Sequence, residues 1–178
     1  MQNKVMFLLI TLLLGLMLCG TSHADNTWTV GFRGGVSEGD VDDEDFQQYE
    51  LYINYVLPWR WQSTGGWFLN THLNGTAGAL RGAGETGFIG SLGPGIAVGK
   101  AGIPVVLAIG VSPTVLSKDH FDDAELGGKF HFTSHLGVFF QLGQRWELGY
   151  RFQHMSNAGL KKTNPGLDMH MFQLGYRF

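Results

Sequence analysis

The stretch His154-Met-Ser156-Asn157-Ala-Gly-Leu-Lys-Lys-Thr-Asn164-Pro-Gly-Leu-Asp168 holds the three residue types of an acyl-transfer triad. A serine hydroxyl is a weak nucleophile until a base within hydrogen-bond reach takes its proton, and histidine is the usual base. A carboxylate on the far ring nitrogen then fixes the tautomer and stabilises the imidazolium that forms. Asparagine or backbone N–H groups beside the serine stabilise the tetrahedral oxyanion, typically by ~3 kcal/mol per donor. Whether His154, Ser156 and Asp168 can meet depends on the elements that carry them.

Upstream of the motif, Trp146, Leu148, Tyr150 and Phe152 alternate with Arg145, Glu147, Gly149 and Arg151. This period of two is the mark of a β-strand, and the apolar row continues into His154 and Ser156. Downstream, Asp168 and His170 share parity with Phe172, Leu174, Tyr176 and Phe178. The connection NAGLKKTNPG joins the two runs as a hairpin, so Asp168 is expected beside His154 and Ser156 on one face.

The rest of the chain shows which face that is. Met1-Gln-Asn-Lys4, the apolar run that follows and Thr21-Ser-His-Ala24 read as a secretory signal peptide over 1–24, with 25–178 as the mature domain. The lone Cys19 lies inside the leader, after Leu18 where a lipobox needs a small residue, so neither a disulfide nor lipidation is expected. A net charge of −3 argues against nucleic acid as a partner.

With 27 glycines, 13% aromatics and no mature apolar run long enough for a transmembrane helix, the composition points to β-structure. Alternation gives eight strands near 27–35, 46–57, 66–79, 87–99, 103–113, 127–141, 145–156 and 167–178. Their connections alternate too. LPWRW, GKAGIP and LGQRW read as tight, whereas VSEGDVDDED, ALRGAGETG, TVLSKDHFDDAE and NAGLKKTNPG read as long and polar. That is the layout of an eight-stranded antiparallel transmembrane β-barrel of the outer-membrane type, with short periplasmic turns and longer outer loops. A soluble lipocalin-like barrel would turn its apolar rows inward. Here the aromatic row opposite Arg145, Glu147 and Arg151 suits a lipid-facing surface better.

Height follows from geometry. Ten residues separate Asp168 from the terminal Phe178, which at ~3.3 Å per residue and ~40° tilt is roughly 25 Å along the membrane normal. If Phe178 marks the inner interface, the motif sits at the outer one, facing the lipid. Uncompensated polar groups at mid-bilayer would cost several kcal/mol each, a penalty avoided at that depth.

The string His154-Met-Ser156-Asn157-Ala-Gly-Leu, followed by Asn164-Pro-Gly-Leu-Asp168 and a closing strand, resembles the lipid A 3-O-deacylase family, PagL. The resemblance implies hydrolysis of the acyl ester at the 3-position of lipid A in the outer leaflet of the bacterial outer membrane, without a metal or other cofactor. Carried over, Ser156 would be the nucleophile, His154 the general base, Asp168 the acid that orients it, and Asn157 a holder of the oxyanion. The family pattern has glutamate where this chain has Asp168, one methylene shorter. Lipid A or lipopolysaccharide and the outer membrane are then the expected partners, and a homodimer is allowed.

Other motifs carry less. Gly35-Val-Ser37-Glu-Gly39 matches a nucleophile elbow but leads into a charged loop rather than a helix. Gly82-Ala-Gly84-Glu-Thr-Gly87 matches a dinucleotide fingerprint but leads into a strand. The acidic run Asp40 to Asp45 reads as a solvated outer loop, or as a site for cations bridging lipopolysaccharide phosphates, which Lys161 and Lys162 could also touch. His72, His120, His131, His135 and His170 show no metal-ligand spacing, and His170, one step below Asp168, is a candidate support for it. Two rival functions remain: a non-enzymatic adhesion or structural barrel, and another lipid-modifying barrel such as a phospholipase or acyltransferase.

Overall fold

The structure, a computed structural model, describes residues 28–39, 41, 42 and 44–178. The expected leader, and Asp40 and Asp43 of the acidic run, lie outside the described residues. Ten strands follow one another: β1 (Trp28–Ser37), β2 (Phe46–Gln62), β3 (Trp67–Gly82), β4 (Glu85–Lys100), β5 (Val105–Leu116), β6 (His120–Phe121), β7 (Ala124–Glu125), β8 (Phe130–Leu142), β9 (Trp146–Ser156) and β10 (Leu167–Arg177). Eight of them close into an antiparallel barrel in the order β1-β10-β9-β8-β5-β4-β3-β2. Closure joins the first strand to the last, with Thr29 opposite Arg177 and Ser37 opposite Met169.

The alternation is inverted relative to a soluble protein. Phe32, Leu51, Leu92, Leu107, Leu136 and Phe172 are exposed on the outside, while Arg33, Gln48, Glu50, Arg151, Gln153 and Gln173 are buried inside. Closure leaves no strand edge with unpaired N–H and C=O groups, the condition for crossing hydrocarbon. Inside, Arg33 donates from Nη1 to Glu50 Oε1 at 2.5 Å and from Nε to Gln173 Oε1 at 2.9 Å. Gln153 Nε2 donates to Gln48 Oε1 at 3.0 Å, so side chains of β1, β2, β9 and β10 are tied across the lumen. At the end holding Trp28 and Phe178, Trp146 packs edge-on to Tyr176, which packs on Phe178 in turn, forming part of an interfacial aromatic girdle.

The opposite, outer end is apolar inside. Phe46, Leu80, Ile89, Leu116, Phe121, Leu126, Met155, Leu167, Met169 and Met171 form one buried cluster. Phe121 belongs to the β6–β7 hairpin, which folds inward so that its ring meets Phe46 edge-on at 5.3 Å. Lys118 anchors the hairpin's start to Glu85 at 2.5 Å. That hydrogen bond, with a second from the Asp122 N–H, holds the Glu85 carboxyl below its usual range. Replacing the fully buried Phe121 by Ala is expected to destabilise the outer end by about 3–5 kcal/mol. Heat-modifiability on gels, in which the folded barrel migrates faster, would report the lowered unfolding temperature.

Three connections depart from the expected layout. LPWRW is not a turn: β2 runs on to Gln62, and the chain reverses at 63–66 with Gly66 at φ 82°. The register shifts between Val56 and Arg60, so Pro58, which has no N–H for the ladder, falls within the irregularity. ALRGAGETG is not a long loop either. β3 and β4 continue to Gly82 and Glu85, leaving Ala83 and Gly84 as a two-residue turn with φ of 49° and 75°, the positive pair that suits the right-handed twist of a hairpin. TVLSKDHFDDAE, read as polar loop, contains the β6–β7 hairpin, because Phe121 and Ala124 have an apolar cluster to enter.

Candidate active site

β9 and β10 pair residue for residue, with His154 opposite Asp168 and Phe152 opposite His170. Directly opposed side chains in an antiparallel ladder stand ~5 Å apart at Cβ. The short aspartate therefore suffices, and His154 Nδ1 lies 2.6 Å from Asp168 Oδ1. A carboxylate only accepts, so Nδ1 carries the proton and donates it, leaving Nε2 with its lone pair free as a base. Both side chains remain a little over two-fifths exposed, on the outer surface.

Ser156 is the last residue of β9 and pairs with Phe132 of β8. It shares the outward face of His154 two positions away, a strand rise of ~7 Å between their Cα atoms. The structure thus joins His154 to Asp168 directly. It places Ser156 alongside, half-buried, with no side-chain hydrogen bond among the described residues. A serine awaiting substrate commonly makes its bond to the base only once the ester is bound.

The connection after Ser156 is held from inside the barrel. Asn157 is fully buried and its carboxamide is committed: Nδ2 donates to Gly127 O at 2.9 Å and Thr163 O at 2.7 Å, and Oδ1 accepts from the Gly159 N–H at 2.9 Å. Its backbone N–H donates to Asn164 Oδ1 at 2.9 Å. The Asn157 side chain thus has both N–H groups engaged with carbonyls rather than turned toward the outward serine. Asn164, which the sequence offers as a hydrogen-bonding support for the loop, is the partner that closes it on itself.

Gly166 is a residue that sequence reasoning missed. It sits at φ 78°, and a Cβ there would come within 2.9 Å of His154 Cε1. The Asn-Pro-Gly turn signal was visible, but the ring against it was not. Gly166→Ala is expected to push the imidazole aside and to strain the backbone. For a ring serving as general base, the role the resemblance implies for His154, a misplacement of ~1 Å costs on the order of 10²-fold, which steady-state ester hydrolysis with purified protein would measure.

The remaining candidates are dispersed. His170, on the outer face, bonds from Nδ1 to Tyr150 Oη at 2.6 Å and lies 3.6 Å from Glu38, so it supports neighbours other than Asp168. Ser37 Oγ accepts from the Phe46 N–H at 2.9 Å, a loop bond rather than a nucleophile's. Of the acidic run, Asp42 Oδ2 accepts from the Glu125 N–H at 3.4 Å. No group of three or more His, Cys, Asp or Glu that could hold a metal occurs among the described residues.

Known proteins resemble this chain in sequence and in fold. The family model for lipid A 3-O-deacylase (PagL) matches residues 47–177. The chain is 32% identical to the lipid A deacylase PagL of Bordetella bronchiseptica, over 99% of this chain and 97% of that protein. Its fold superposes on the crystal structure of the outer membrane enzyme PagL with a TM-score of 0.67 at 22% identity, covering 85% of this chain and 98% of that one. Neisserial surface protein A, at 12% identity, TM-score 0.54 and 85% and 95% coverage, has the same barrel. The hairpin that pairs His154 with Asp168 lies inside the matched region, and the chain belongs to the PagL family of lipid A 3-O-deacylases.

Proposed function

We propose that this outer-membrane barrel hydrolyses the 3-position acyl ester of lipid A as a serine esterase, with His154, Ser156 and Asp168 as its working set. The observation that carries the assignment of residues is the 2.6 Å bond between His154 and Asp168 on the lipid-facing surface, two residues from the one serine on that hairpin. In this reading Ser156 Oγ attacks the ester carbonyl while His154 Nε2 takes its proton. The tetrahedral intermediate collapses with expulsion of the sugar 3-oxygen, which receives that proton from the imidazolium. Water, deprotonated by the same nitrogen, then attacks the acyl-serine; the second tetrahedral intermediate expels Ser156 Oγ, which takes that proton from the imidazolium as the free fatty acid leaves.

Position suits the substrate. The pair stands at the outer end of β9 and β10, where the ester bonds of outer-leaflet lipid A lie just beneath the sugar. Lys161 and Lys162, exposed on the adjoining loop, are placed for its phosphates. We assign Asn157 an indirect part in holding the oxyanion: with its carboxamide engaged on three backbone groups, it shapes the chain that follows Ser156. All of the working set comes from one hairpin of one chain, so the homodimer the sequence allows is not required for chemistry.

The test is mass spectrometry of lipid A from cells expressing the chain. Loss of one 3-hydroxyacyl group, with the matching free fatty acid released, is expected. Unchanged lipid A from cells holding folded barrel would favour the structural or adhesion reading, and release of fatty acid from phospholipid instead would make it a phospholipase.

A further inference from the structure

Below the apolar cluster, the lumen opens into a cavity of about 750 Å³ that reaches the periplasmic turns at Ala101–Pro104 and Gly143. Its lining is unbalanced in charge. Arg33, Arg60, Lys100, Arg151 and Arg177 face it, against Glu147 alone. Arg33 is bound to the buried Glu50, and Arg177 lies 3.6 Å from Glu147. Arg151 has no carboxylate within ion-pair distance among the described residues, and the Glu50 charge that acts on it is already bonded to Arg33. It is 4% exposed, and its hydrogen bonding among the described residues is limited to Nε, which donates to Gln153 Oε1 at 3.1 Å.

Two buried polar atoms on this cavity, His135 Nδ1 and Asn74 Oδ1, have no hydrogen-bond partner among the described residues. His72 and His135 are seated over glycines that leave room for them: a Cβ on Gly95 would meet His72 Cε1 at 2.6 Å, and one on Gly110 would meet His135 Cε1 at 2.5 Å. Water can satisfy an imidazole or an amide, but it does not neutralise a buried formal charge. An arginine retains its charge under all ordinary conditions, and a buried unpaired ion is more costly than any neutral polar group.

From these observations we infer that the periplasmic half of the lumen is an anion site, in which the terminal nitrogens of Arg151 and the imidazoles of His72 and His135 bind a small oxyanion entering from the periplasm. The class is phosphate-like or carboxylate. The guanidinium fork matches two oxygens of such a group in one plane, and imidazole N–H groups supply further donors. The site is separated from the outward hairpin by the barrel wall and the apolar cluster, and it stands or falls independently of the esterase reading.

The test uses the folded full-length mature barrel in detergent micelles, titrated with inorganic phosphate against chloride at matched ionic strength, with the heat-unfolding midpoint as readout. Phosphate at ten times its dissociation constant is expected to raise the midpoint by about 3–6 °C. Arg151→Met should abolish the increment while leaving deacylation unchanged. Should that variant not fold, His135→Leu is expected to weaken phosphate about tenfold, the loss of one charge-assisted donor. A wild-type midpoint no higher in phosphate than in chloride, or an increment undiminished in the variant that folds, overturns the inference and leaves a water-filled lumen.

Discussion

Ser156→Ala should leave a folded barrel that no longer deacylates lipid A, with turnover reduced by on the order of 10⁴-fold or more. The expectation of normal folding rests on position: Ser156 ends β9 on the outer face and makes no side-chain bond that the fold uses. In the proposed mechanism the drop is large because the covalent route disappears with the hydroxyl, and only binding and oxyanion stabilisation remain. Mass spectra of lipid A from cells expressing each form, beside gels showing equal amounts of heat-modifiable barrel, would measure both halves of the prediction. Deacylation at the wild-type rate by Ser156→Ala would remove the serine from the mechanism, although membership in the family would stand.

Asp168→Asn should cost nearly as much, about 10⁴-fold in kcat, with little change in stability. Asparagine keeps the size of aspartate and remains opposite His154 in the ladder. What changes is the bond itself. A carboxamide offered through its NH₂ would take the Nδ1 lone pair, place the ring proton on Nε2 and leave no base toward Ser156. It would also withdraw the negative charge that stabilises the imidazolium. Asp168→Glu separates these effects, since it restores the carboxylate of the family pattern; its activity is expected within about tenfold of wild type, a cost of ~1.4 kcal/mol for re-fitting one methylene in a 2.6 Å contact. Equal losses for Asn and Glu would mean that geometry rather than charge is what Asp168 supplies.

The variants report on different physical links. Phe121→Ala acts on packing and should lower stability without touching the outer-surface pair. Gly166→Ala acts mainly on the placement of one ring and should lower activity far more than stability, the strained turn costing ~1–2 kcal/mol.

Much of this molecule is legible in its residue order, for one reason. A membrane barrel separates two solvents with a single layer of strand, so every step along the chain alternates between lipid and lumen, and the pattern is written at period two. Trp146, Leu148, Tyr150 and Phe152 declare the outer face, and the same parity carries His154, Ser156 and Asp168 onto it. That His154 and Asp168 share one face of neighbouring strands follows from that parity together with the hairpin that joins them.

Wherever the outcome depends on contacts between distant segments, parity is silent. The run holding Phe121 reads as polar loop, because the apolar residues that receive its ring lie on other strands, Phe46 among them. LPWRW reads as a turn from its proline, though a bulge accommodates that proline while the ladder resumes at Arg60. The family resemblance makes Asn157, next to the serine, a holder of the oxyanion. Its side chain nevertheless turns into the barrel just past the end of β9 and finds Gly127 thirty residues back in the chain. The lumen's charge balance is hidden for the same reason: Arg151 has a partner or lacks one only after eight strands have brought their inward residues together. One-dimensional order decided which side of the wall each residue occupies. Only closure of the barrel decided what each one meets there, because burial and pairing depend on distances that sequence separation does not encode.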